Sequence, residues 1–175
     1  MRFFLSKTVL LLDQINEAIG RTVAWLTLAL VLVSFAVVVL RYAFTSGNIA
    51  LQETTTYLHS LIFMLGAAYT LKHDKHVRVD ILFRPSSPHC QARVNLFGTL
   101  LILFPVCIVL FYFAWDYVAA AWAIQESSQQ TGGLPYLYLL KSCLLLLPVL
   151  LLLQGLAELG RNWLLLTTAA ETRHD

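Results

Sequence analysis

Four stretches of the chain are apolar almost without interruption: Thr22–Phe44, Thr54–Leu71, Val94–Trp115 and Ser142–Gly160. Charged residues bracket each at similar separations. Arg21 to Arg41 is 20 residues, Glu53 to Lys72 is 19, Arg93 to Asp116 is 23 and Lys141 to Arg161 is 20. A helix rises ~1.5 Å per residue, so each interval spans roughly 30 Å, the thickness of bilayer hydrocarbon. The pattern therefore predicts four transmembrane helices. Trp25, Tyr42, Tyr69, Trp115, Tyr117, Tyr136, Tyr138 and Trp163 fall near their ends, as an interfacial aromatic belt requires.

The remaining pattern fills in the connections. Phe4, Leu11, Leu12, Ile15 and Ile19 recur at helical spacing, with Ser6, Asp13 and Glu17 on another side. This predicts an amphipathic helix lying on the membrane surface. Ser87 before Pro88 has the form of an N-cap with proline at the first helical position. Pro105 and Pro148 lie inside the third and fourth helices and are expected to kink them. YVAAAWAIQE after Asp116 and LPYLYLL before Lys141 extend these two helices beyond the lipid, and SSQQTGG between them is a turn by composition. The chain thus divides into an interfacial helix (2–20), spans at 22–44 and 54–72, a loop (73–87), a third span with its extension (88–125), a turn (126–134), a fourth span (135–165) and a tail (166–175).

Composition agrees with this all-α membrane bundle. Of 175 residues, 58% are hydrophobic and 13% charged, and mean hydropathy is +0.71, where soluble domains carry about 25% charged residues. A net charge of +2 implies no nucleic-acid surface. Cys90, Cys107 and Cys143 lack metal or redox spacing. The apolar run TVLLL near the N-terminus is too short for a signal peptide.

The placement of charge says more than its sum. With the N-terminus inside, ten Lys and Arg fall on cytoplasmic segments and two, Arg41 and Lys141, fall outside. That asymmetry predicts cytoplasmic termini. KHDKHVRVDI, from Lys72 to Ile81, becomes the single cytoplasmic loop, held at an anionic leaflet.

Chemistry at depth is sparse. The middle turns of all four spans lack Asp, Glu, Lys and Arg, and Ser34, His59, Ser60, Thr99 and Gln154 are the polar groups there. His59 is the one titratable residue, and its expected partner is another helix of the bundle. Haem needs two axial ligands, and the other three spans offer no His. No nucleophile–base pair, metal cluster or phosphate loop is present in the sequence, so an enzyme is not expected. Near the outer boundary, Arg41 with Glu53 and Asp116 with Lys141 are candidate ion pairs. Alternatively each marks the water line, or Glu53 meets a partner subunit.

RYAF at 41–44, LQE at 51–53, LGAAYTLKHDKHVRVDIL at 65–82 and GGLPYLYLLK at 132–141 resemble the small, DctQ-like permease subunit of tripartite ATP-independent periplasmic (TRAP) transporters. The resemblance covers about residues 20–162. It implies a bacterial inner-membrane scaffold with both termini cytoplasmic, bound to a large elevator-type subunit that holds the substrate and sodium sites. A periplasmic binding protein delivers the substrate, typically an organic acid. The chain itself would carry no cofactor, and its other contacts would be lipids. His76, Arg78 and Asp80 match a family pattern expected to fix the loop against the bundle or the large subunit; the alternative is a solvated loop beside lipid phosphates. Many family members have a tryptophan and two acids before the second span. Here Ala50-Leu51-Gln52-Glu53 supplies one acid. The competing function is a membrane anchor for a redox or other enzyme complex.

Overall fold

A computed structural model of the chain describes residues 2–76, 83 and 85–171, with side chains given for 6–76, 83 and 85–167. Four long helices account for it: α1 (Arg2–Ala43), α2 (Ile49–Lys72), α3 (Pro88–Ala123) and α4 (Leu137–Glu171). No strand occurs among the described residues.

The helix starts follow local chemistry. Asn48 caps α2, its Oδ1 accepting from the Leu51 amide at 3.1 Å. This cap starts α2 five residues before the apolar run. Ser87 caps α3 with Pro88 in the first turn, where proline's missing N–H costs nothing.

The N-terminal segment corrects an expectation. It is not a separate surface helix at 2–20: α1 runs from Arg2 to Ala43 without a break. No proline or capping turn interrupts it, and the polar residues assigned to a water-facing side are packed against α2 and α4. Gly20 costs a helix interior about 1 kcal/mol relative to alanine, but it lets α2 approach. A Cβ built there would lie 2.1 Å from Tyr69 Cδ2.

Within α3 the turn Thr99–Leu103 widens to a π-helix, closed by the Phe104 N–H on the Thr99 carbonyl. Pro105 follows at once. Its ring crowds the preceding turn and it donates no bond, and a π-bulge absorbs both defects. The same bulge places Thr99, Leu103 and Phe104 against Gly155 of α4.

Three helices, over Ser6–Ala43, Pro88–Ala123 and Leu137–Thr167, are long and apolar enough to cross a membrane. α2 differs because Thr54, Thr55, Thr56, His59 and Ser60 occupy its first half. α4 is central, touching α1, α2 and α3, while α1 and α2 pair closely. Gly66 faces Val23 across that pair, and Ala68 is buried. The buried core is mostly of small residues such as Ala92, Cys107, Ala121, Cys143 and Ala157, which let helix backbones approach in lipid. Large apolar side chains face outward instead, among them Trp25, Phe35, Phe63 and Phe113.

Candidate functional site

Polar side chains gather at the two ends of the bundle. At the end holding both termini, Asp13, Asn16 and Glu17 project from α1 at helical spacing. Gln154, fully buried on α4, accepts from Asn16 Nδ2 at 2.8 Å and donates to Asp13 Oδ1 at 3.1 Å. Arg161, two turns further along α4, places Nη2 3.0 and 2.9 Å from the two Asp13 oxygens and Nη1 3.2 Å from Glu158. Asn16 Oδ1 is buried with no hydrogen-bond partner.

Glu17 collects three groups. Lys72 Nζ lies 2.6 Å and His73 Nε2 2.9 Å from Oε2, and Arg21 Nε lies 2.8 Å from Oε1. Glu17 precedes the apolar run, so it lies outside the hydrocarbon. The hydrogen bond from Lys72, followed by those from His73 and Arg21, lowers its carboxyl from 4.5 to about 2. Together, Asp13 and Glu17 tie α1 to α4 and to the end of α2.

At the opposite end, Glu53 reaches from α2 into the α3–α4 connection. It accepts from the Ser128 hydroxyl and, at 2.6 Å, from the Leu134 amide. These bonds, Ser128 first, hold its carboxyl below the ordinary value. The connection is itself tied: the Ser128 amide bonds the Leu134 carbonyl at 3.0 Å and Gly133 bonds Gln130 at 3.0 Å. Gly132 sits at φ 81°, a backbone state that glycine adopts without strain. Lys141 pairs with Glu126 and lies 4.0 Å from the centre of the Tyr117 ring. Trp122 Nε1 donates to Ser142 Oγ at 2.8 Å.

Several expected contacts are replaced. Glu53 is taken by Ser128 and Leu134, leaving Arg41 exposed without an ion pair to a described residue. The loop between α1 and α2 is too short to matter here; the carboxylate satisfies two donors that would otherwise be left unmet. Lys141 selects Glu126, and Asp116 is exposed in a groove beside Phe111, Tyr112 and Trp115. His59 bonds no other helix: it is exposed and stacks on Phe63 at 6.5 Å. His76 Nε2 lies 3.1 Å from the Ala67 carbonyl. Arg78 and Asp80 fall outside the described residues.

Asp13, Asn16, Glu17, Glu126, Ser128 and Arg161 were not singled out as site residues. The helical spacing of the first three was the available signal.

The fold and its end clusters define a multi-pass helical membrane protein whose polar groups join its own helices. The family described as Tripartite ATP-independent periplasmic transporters, DctQ component, matches residues 30–165. The chain belongs to that family, whose members are transporter components and not enzymes. No curated protein and no solved structure matched the chain.

Proposed function

We propose that the chain is the small scaffold subunit of a sodium-coupled TRAP transporter that imports an organic acid. It supports a large elevator-type subunit, which holds the sodium and substrate sites. A periplasmic binding protein delivers the solute. All four helices span the bacterial inner membrane, α2 included, and the end bearing both termini is cytoplasmic. Ten of the twelve Lys and Arg then lie inside, in keeping with the positive-inside rule.

One observation carries this reading. Every ion pair among the described residues lies in one of the two end clusters: Glu17 and Asp13 at one end, Lys141 with Glu126 at the other. Between them the helices offer apolar side chains and small residues. Moving a carboxylate and its sodium ions needs polar groups at depth, so that path belongs to another polypeptide. An elevator also needs a wall that stays still. Four helices tied at both ends suit that task, because each tie joins different helices and resists their sliding.

The hairpin end, with Glu126 and residues 127–134, is the surface offered to the binding protein. The test is co-expression with the large subunit followed by purification on a tag carried by this chain. A complex of fixed stoichiometry in mild detergent is expected. Recovery of this chain alone, with a folded large subunit left in the unbound fraction, overturns the proposal.

A further inference from the structure

α2 exposes four side chains to its surroundings: Gln52, Thr56, His59 and Phe63. Their spacings of four, three and four residues place them in one stripe on one helix face. Gln52 stands beside Glu53 at the boundary. His59 is six residues further in, roughly 9 Å at ~1.5 Å per residue, and Phe63 is deeper still. Inward of Phe63 no α2 residue is exposed until His73.

The outward faces of α1 are of another kind. Leu28, Val31, Leu32 and Phe35 are exposed there, and lipid tails solvate such side chains. The α2 stripe does not suit lipid. The Thr54 and Thr55 hydroxyls bond their own helix, at Ala50 and Leu51. Neither the Thr56 hydroxyl nor the His59 ring bonds any described residue. Ionisable side chains within spans face a bundle interior or a watery cavity and find partners there. His59 does neither within this chain, so its interior must be completed from outside.

We infer that the Thr56–His59–Phe63 stripe of α2 is the face on which a transmembrane helix of the large subunit packs, presenting a hydrogen-bonding group to the His59 imidazole. The inference rests on the scaffold reading above and adds the face and its chemistry. Phe63 supplies the apolar contact beside His59, stacked on the imidazole and 69% exposed. The rival face is on α3, where Asp116 is exposed near Tyr112 and Trp115. Those aromatics fit a lipid–water boundary, where the acid meets headgroups.

The test places a photoreactive benzophenone amino acid, one site at a time, in place of Phe63, Phe35 or Phe113 in the co-expressed complex. Irradiation is expected to join this chain to the large subunit from Phe63, with lipid adducts from Phe35 and Phe113. Adducts to the large subunit from Phe113 and none from Phe63 overturn the inference, as does a dimer of this chain formed from Phe63. His59→Leu is the second arm. It is expected to reduce the complex recovered about 3- to 10-fold, the range that one interhelical hydrogen bond in a membrane allows. The unfolding temperature of the isolated chain is expected to stay unchanged, since His59 bonds nothing within it. Unchanged recovery, or an isolated chain destabilised by His59→Leu, contradicts the assignment. If no complex forms even with the unaltered chain, the scaffold reading itself fails.

Discussion

Replacing Gln154 with leucine tests the polar tie between α1 and α4. Gln154 is fully buried and makes two side-chain bonds, one with Asn16 and one with Asp13. Interhelical hydrogen bonds in membrane proteins contribute ~0.6–1.7 kcal/mol each, so the two account for about 1–3 kcal/mol. The loss has a second part. Asn16 Oδ1 already lacks a partner, and the substitution leaves Asn16 Nδ2 unmet as well. A buried polar group left without a bond costs ~1–3 kcal/mol more. Gln154→Leu should therefore cost about 2–6 kcal/mol on these terms. At ~2–4 °C per kcal/mol for a chain of this size, its unfolding temperature in detergent should fall by at least about 4 °C. Adding Asn16→Leu removes the stranded amide, so the double variant should recover part of the loss. An unfolding temperature that is unchanged or raised in Gln154→Leu, or single losses that simply add, would refute the reasoning.

Gly20→Ala should destabilise by ~1–3 kcal/mol, the cost of overpacking, because the new methyl meets the Tyr69 ring and its Cβ. Gly98→Ala, with open space around the added carbon, should stabilise by ~0.5–1 kcal/mol, so thermal unfolding of the pair should shift in opposite directions. Glu53→Ala should release the α3–α4 connection, read as faster hydrogen exchange at the Leu134 amide. In the unaltered chain the folded Glu53 carboxyl titrates below its unfolded counterpart, so this tie is complete above an ordinary carboxylate value of ~4.3 and is lost as pH falls below it. Glu17 follows the same sign: its contribution is full above 4.5 and is lost as pH falls towards about 2. A plot of unfolding temperature against pH should drop over that interval, and the drop should shrink in Glu17→Gln.

Much of the fold was legible because lipid imposes a simple rule on sequence. Apolar runs bracketed by charge located α1, α3 and α4, and Ser87 with Pro88 located the start of α3. The junction near Gly20 was not legible. Its polar neighbours on α1 have the same pattern whether they face water or a second helix. Only the partners decide, and Lys72 and Arg161 lie 55 and 148 residues away. The pairing of Glu53 was hidden for a related reason. Arg41 is nearer in sequence, but a loop folded by Ser128 and Leu134 brings two donors to the carboxylate. His59 was visible as a polar residue at depth, whereas its outward direction depends on how α2 rotates against α1 and α4. Pro105 announced a distortion of α3, and the local form, a widened turn against Gly155, required the packing.

Uptake by reconstituted vesicles addresses the central claim directly. Three preparations would be compared under an inward sodium gradient: this chain alone, the large subunit alone, and the two together with a loaded binding protein. The account predicts labelled organic-acid accumulation in the third, little in the second and background in the first. Accumulation by vesicles holding this chain alone would contradict it.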